Sequence, residues 1–326
     1  MQRRTFIMLG GFAVALPLAA RAQQTQVPVI GYIGNASPEA WAGRLQAFRR
    51  GLSDAGFTEG RNVAIEFRWS DGQYDRLQGL AEDLVRRRVN VIVTPGSTAS
   101  ALAAIAATKT IPIVFETGAD PVASGLVPSL NRPGGNVTGI SSLNNAVGPK
   151  RLEVLKEAVP SLKVVAAIIN PAAGAVGERQ KLDLQATARQ LGLELLVVEA
   201  STDPELDTLF PTLRPRAGGL VVIPDAFFIS RQEKLAALSL ESGMPAIFQN
   251  RQFAVAGGLM SYGGDPAETH ALAGLYVARI LKGEKPADLA VIQGSKVELT
   301  INLKTAKAFG IDMPQSLLGR ANEVIE

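Results

Sequence analysis

Val164-Val165-Ala166-Ala167-Ile168-Ile169, followed at once by Asn170-Pro171, is the stretch on which the fold turns. An unbroken apolar run that a polar turn ends describes a strand covered on both faces, the habit of parallel sheets. Val91-Ile92-Val93, Leu195 to Val198 and Leu220 to Ile223 repeat the type. Between these runs the period changes. Trp41, Leu45, Phe48, Leu52 and Ala55 lie three or four residues apart, one stripe of a helix expected to start at Ser37-Pro38 and stop at Gly56. Leu77, Leu80, Leu84 and Val85 form a second stripe, and Leu182, Ala186 and Leu191 a third. Strands alternating with helices mean βαβ units with right-handed crossovers.

Two such sets follow one another. The first runs from Val29-Ile30 through Val63 to Phe67, Asn90 to Val93 and Ile111 to Phe115; the second from Lys163 through Leu193 to Val198, Gly218 to Ile223 and Ala246 to Phe248. The seam is expected near Asn136-Val137-Thr138-Gly139-Ile140, after the turn-rich Asn131-Arg132-Pro133-Gly134-Gly135. A chain of 326 residues exceeds the size at which single cores usually split. No Gly/Ser linker separates the halves, so strands should join them, with the chain crossing more than once.

The N-terminus reads as a signal peptide over residues 1–22. Arg3 and Arg4 start it, Phe6 to Ala20 is its apolar run, and Ala20-Arg21-Ala22 places small residues on either side of Arg21 for cleavage before Gln23. That run, broken by Gly10, Gly11 and Pro17, is too short to span a bilayer. Arg3-Arg4-Thr5-Phe6-Ile7 is also compatible with twin-arginine export, although Met8 stands where a basic residue is usual. Either export route, Sec or Tat, leads to the periplasm. Arg3, Arg4 and Arg21 would leave with the leader, bringing the 33 Lys and Arg down to parity with the 30 Asp and Glu. The basic pI of about 9.2 therefore argues nothing for nucleic acid as a partner. With no cysteine there is no disulfide, lipid-bearing Cys or thiolate metal site.

In open parallel sheets the ligand lies beyond the carboxyl edge. The loops there are Gly34-Asn35-Ala36-Ser37, Thr94 to Ser100, Glu116-Thr117-Gly118-Ala119-Asp120-Pro121, Asn170-Pro171, Pro224-Asp225-Ala226-Phe227 and Gln249-Asn250-Arg251. They supply the ligand-binding candidates Asn35, Ser37, Gly96, Ser97, Thr98, Ala99, Thr117, Asp120, Asn170, Asp225, Phe227 and Asn250; Tyr262 joins them. Ser97-Thr98 opens a helix, whose free N–H groups suit a carboxylate or phosphate, although either residue could serve only as a cap. Asp120 either meets a ligand ammonium or caps a turn, and Asp225 faces the same choice. Trp41, Phe227, Phe228 and Tyr262 could cover an apolar side chain or belong to the core.

Enzyme signatures are missing. Gly31-Tyr32-Ile33-Gly34-Asn35-Ala36 lacks the GxGxxG spacing for a dinucleotide, and neither GxxxxGK[ST] nor GxSxG occurs. His270, the one histidine, falls within a helix at Ala267 to Leu281 and reads as a surface or packing residue. Neither a cofactor nor a metal is expected.

Ile30-Gly31-Tyr32-Ile33, Phe48-Arg49-Arg50-Gly51-Leu52, Gly56 to Val63, Ala119-Asp120-Pro121-Val122 and Leu130 to Gly139 together resemble the ABC transporter substrate-binding proteins of the tryptophan-transporter type. The similarity continues through Gly263-Gly264-Asp265, Ile280 to Gly283 and Asn302 to Ala306. The resemblance implies an α/β, type I periplasmic-binding fold: two Rossmann-like, doubly wound parallel-sheet lobes joined by hinge strands with three crossovers. The lobes are expected at 23–141 plus 259–286 and at 142–258 plus 287–326. It further implies a small-molecule solute, amino-acid-like by preference, captured for an ABC permease in the inner membrane, with no catalysis; a neutral two-lobed receptor with no sequence signal for a dimer seam is expected to be a monomer that closes on it. The resemblance also implies that the solute carboxylate is held at Gly96 to Ala99. Alternatives are a ligand sensor for a membrane receptor and an exported α/β enzyme; a LacI-like repressor would need a DNA-binding head where this chain has its leader.

Overall fold

The computed structural model describes residues 27–142 and 144–326; the expected signal peptide lies outside the described residues. Its strands are β1 (Val29–Gly34), β2 (Ala64–Trp69), β3 (Val91–Thr94), β4 (Ile113–Thr117), β5 (Val137–Ser141), β6 (Val164–Ile169), β7 (Glu194–Glu199), β8 (Gly219–Val222), β9 (Ala246–Phe248), β10 (Met260–Gly264), β11 (Ile292–Gln293), β12 (Val297–Asn302) and β13 (Glu323–Ile325). One sheet runs β11-β5-β4-β3-β1-β2 with every pair parallel. The other runs β13-β12-β10-β9-β8-β6-β7, antiparallel only between β10 and β12. Strand order reverses beside β1 and β6, and a crevice for ligand opens at each such switch point.

The helices that shape the lobes are α1 (Ala42–Asp54), α2 (Leu77–Arg86), α3 (Thr98–Ala107), α4 (Gly148–Ala158), α5 (Gly174–Gln190), α6 (Asp203–Leu213), α7 (Ala226–Ile229), α8 (Gln232–Glu241), α9 (Arg251–Val255) and α10 (Pro266–Leu281). Trp41, Leu45, Phe48 and Leu52 are buried as one stripe. Against it packs α10. The helix backbones touch through Gly51 and Gly274: a β-carbon on Gly274 would come within 2.3 Å of the Phe48 carbonyl oxygen, and one on Gly51 within 2.0 Å of that of Ala271. This close approach brings the first turns of both helices to one place on the first lobe.

Several expectations are corrected. β5 pairs with β4 over its whole length, so the seam near Asn136 to Ile140 is a strand of the first sheet and the chain leaves that lobe only beyond Ser141. Residues 259–264, expected in the first lobe, contain β10, which hydrogen-bonds to β9 and β12 in the second sheet; β11, expected in the second, pairs with β5 in the first. Leu195 to Val198 is only half-buried because β7 is an edge strand. In α5 Leu182 points to solvent, and the buried side carries Gly177, Gln180, Leu184, Thr187 and Ala188. Polar Gln180 and Thr187 sit on that buried face, which displaced the hydropathy stripe.

The chain crosses between lobes three times, after β5, β10 and β11. The crossings are laced together. Asn144 Oδ1 accepts from the Gly264 N–H (2.9 Å) and from Arg151 (3.2 Å), and Arg151 also donates to the carbonyls of Asn144 and Tyr262, both at 2.7 Å. Burial pushes the Arg151 guanidinium down to about 9. These carbonyl acceptors keep a fully buried cation at the hinge hydrogen-bonded.

Candidate functional site

A cleft partly open to solvent lies between the carboxyl edges of the two sheets. The first lobe supplies the start of α1 (Arg44), the turn into α3 (Gly96 to Ala99), the end of β4 (Glu116) and the first turn of α10 (Thr269, His270). The second supplies Ala173 and Val176 near the start of α5, Pro224 to Ala226 with Ile229 around α7, and Gln249-Asn250 after β9. Ser142, Asn144 and Asn145 line it from the first crossing.

In the turn into α3 the cap reading holds for Ser97. Ser97 caps the helix by accepting from the Ser100 N–H at 3.2 Å. Gly96 has φ +72°, and a β-carbon there would meet the Trp41 ring at 2.8 Å, so glycine serves both backbone and packing. The next N–H groups, those of Thr98 and Ala99, have no acceptor within the helix and open onto the cleft. The Thr98 hydroxyl, by contrast, is shared with that of Thr117 at 2.6 Å.

Two opposite charges face the cleft without pairing. Neither Arg44 nor Glu116 forms an ion pair among the described residues. Arg44 stands with its guanidinium 5.2 Å from the centre of the Trp41 ring; burial lowers its pKa, which Glu116 partly restores. Glu116, only 4% exposed, has its carboxyl raised by burial, against the pull of Arg44, the Ser142 hydroxyl and the Gly96 N–H.

Around them are polar atoms with no partner: His270 Nε2, the Gln249 amide oxygen and nitrogen, and Asn250 Oδ1 are buried and unbonded. Native structures seldom leave such groups orphaned, and their gathering in one cleft makes it the candidate site for a ligand. Across the mouth the lobes meet. The Tyr74 hydroxyl donates to Asp225, which also accepts from the Asn170 amide and the Phe227 N–H, each at 2.9 Å. Burial raises the Asp225 carboxyl despite these donors.

Of the sequence candidates, Gly96, Ser97, Thr98, Ala99, Asp225 and Asn250 line the cleft. The rest stand behind or away from it. Asn35 is buried and accepts from the Ser100 hydroxyl, holding the β1 loop against α3. Ser37 accepts from the Ala40 N–H in its own turn, at 3.3 Å. Thr117 supports Thr98, and Asn170 supports Asp225. Asp120 is exposed and caps a turn, accepting from the N–H groups of Val122 (2.8 Å) and Ala123 (3.1 Å), so it does not offer the cleft a charge. Phe227 is buried beneath the Arg231 guanidinium, 3.8 Å from its ring centre. Tyr262 contributes its carbonyl to Arg151 and is absent from the cleft wall. Trp41 and Phe228 are core, which leaves Tyr74 and His270 as the aromatic rings at the wall. Arg44 and His270 were missed, and Glu116 and Gln249, which stand in loops named from the sequence, were passed over as candidates. For Glu116 the signal was a lone carboxylate in the apolar run Ile113 to Phe115 at a sheet edge.

Residues 33–325 match the family model described as ABC transporter substrate binding protein. A "Tyrosine-binding protein" of Clostridioides difficile is 30% identical over 264 residues, 81% of this chain and 75% of that protein. Among solved structures, an ABC domain of Streptococcus pneumoniae in complex with L-Trp is 25% identical with a TM-score of 0.82, covering 91% of this chain and 99% of that one. The ligand-free, open structure of a Clostridium difficile substrate-binding protein with adhesive properties is 26% identical, with a TM-score of 0.64, covering 92% and 99%. At nearly equal identity and coverage the better fit is to the complex, so these lobes lie nearer its arrangement than the open one. The fold is the type I periplasmic-binding fold.

Proposed function

The chain belongs to the ABC transporter substrate-binding protein family, and we propose that it is an exported receptor closing on an α-amino acid with an apolar side chain. The observation that carries the reading is the unpaired couple Arg44 and Glu116 in one cleft. A zwitterion brings a carboxylate to Arg44 and the free N–H groups of Thr98 and Ala99, and an ammonium to Glu116. Glu116 takes the role expected of Asp120. Ala173, Val176, Pro224, Ala226 and Ile229 give the second lobe an apolar wall for the side chain. The tyrosine and tryptophan named for its relatives support an aromatic one.

Closure buries the solute and presents both lobes to a permease in the inner membrane, the receptor acting as a monomer in the periplasm. Calorimetric titration with L-tyrosine, L-tryptophan and L-phenylalanine, beside sugars and nucleosides, tests the solute class. Binding of at least one amino acid is expected; binding confined to neutral solutes overturns the reading. Intact-mass analysis of periplasmic protein tests export, with Gln23 as the expected first residue.

A further inference from the structure

His270 has a place that neither the family match nor the amino-acid reading assigns. It sits on the first turn of α10, 1% exposed, in the cleft wall. Its Nδ1 lies 2.8 Å from the Pro266 carbonyl oxygen, one helical turn back. A carbonyl only accepts, so Nδ1 carries the proton and Nε2 is left with a lone pair. Nε2 is buried and has no donor. The ring is fixed edge-on against Trp41, with centroids 5.6 Å apart and an interplanar angle of 87°. The contact of Gly51 and Gly274 holds the two helices that carry these rings.

We propose that His270 determines specificity as a fixed, neutral hydrogen-bond acceptor for an N–H of the solute. Its charge state supports this. Burial, with Arg44 on α1 adding repulsion, pushes the imidazole down to about 3, so it stays neutral across the physiological range. Glu116 on β4 and Asp225 beyond β8 are the acidic groups that share the cleft. A neutral ring cannot hold a carboxylate as Arg44 can; with Nδ1–H engaged it can only accept. The solute must therefore bring a donor, which on the amino-acid reading is its ammonium, and a solute lacking one leaves Nε2 unpaired at a cost. The inference rests on that reading for the donor's identity, while the role of His270 does not.

As the one histidine in the sequence, His270 can be observed directly. Untagged protein labelled with 15N in the imidazole is titrated with L-tyrosine, L-tryptophan and L-phenylalanine, with the deaminated analogue of phenylalanine, which keeps no N–H donor, and with any solute the binding screen returns. The expected result is an unprotonated Nε2 from pH 5 to 8 whose resonance moves on saturation with the amino acid and stays in place with the deaminated analogue. His270→Leu should bind the amino acid at least tenfold more weakly with melting unchanged, and His270→Gln should recover part of the loss. An Nε2 resonance unmoved by an N–H-bearing solute that demonstrably saturates the protein overturns the proposal, as does parent-like binding by His270→Leu. If the amino acids fail to bind but another N–H-bearing solute moves Nε2, the amino-acid reading falls and the role of His270 stands.

Discussion

Asp120 and Asp225 look alike in sequence: each follows a buried strand, opens a turn and precedes a small or apolar segment. Both accept from a backbone N–H two residues on. Their surroundings divide them. Asp120 lies four residues past Glu116 and has already left the cleft for solvent, while Asp225 stands at the second sheet's carboxyl edge, buried, with Tyr74 of the other lobe bonded to it. A cap is needed wherever a helical turn begins; burial plus a partner from the opposite lobe turns a cap into part of a cleft. In the first lobe the corresponding charge belongs to Glu116, on the strand itself.

Glu116→Gln should have the largest effect. A charge-assisted hydrogen bond contributes about 1.5–3 kcal/mol, so amino-acid affinity should fall roughly ten- to a hundredfold by calorimetry. The same change should stabilise the unliganded protein. Glu116 is raised above the ordinary 4.5 by burial, so the folded state holds its proton more tightly than the unfolded chain. Stability contributed by this group is therefore lost as pH rises from that value through the folded pKa, and the Gln variant escapes the loss. Melting of parent and variant at acid and neutral pH checks the sign; a variant less stable at neutral pH than the parent breaks the assignment.

Asp225→Ala comes next. It orphans the Tyr74 hydroxyl and the Asn170 amide, which should cost about 1–3 kcal/mol of stability, measured by denaturant unfolding, and affinity should drop as closure weakens. Tyr74→Phe removes only the bond between lobes. About 0.5–1.5 kcal/mol is at stake, so binding should weaken severalfold, with scattering of the unliganded protein showing a more extended average. Asp120→Ala should affect binding least. Loss of its cap should cost about 1 kcal/mol of stability and leave affinity unchanged; a clear loss of affinity would erase the contrast between the two aspartates.

Long apolar runs and the spacing of Trp41, Leu45, Phe48 and Leu52 were enough to reveal both lobes, because buried parallel strands and amphipathic helices are written locally. β10 to β13 were harder to see. Met260-Ser261-Tyr262-Gly263-Gly264 mixes small and polar residues at a hinge, where close backbone contact selects glycine over bulk: a β-carbon on Gly263 would lie 2.0 Å from the Gln249 carbonyl oxygen. The cleft was half legible. The α3 turn announces itself through its cap, and Asp225 and Asn250 through their position at strand ends. Arg44 and His270 reach the site from inside helices, where a polar residue reads as surface until tertiary packing turns it inward. Their place depends on the contact of α1 with α10, between residues more than two hundred positions apart in sequence.

The central claim, that one cleft clamps a zwitterion between Arg44 and Glu116, is tested most directly by calorimetric titration of parent and Glu116→Gln with an aromatic amino acid and its deaminated analogue. The account predicts that the substitution costs most of the amino acid's affinity while the analogue binds both proteins equally weakly. An equal loss for amino acid and analogue would contradict it, because Glu116 would then be acting on the cleft's structure instead of on the ammonium.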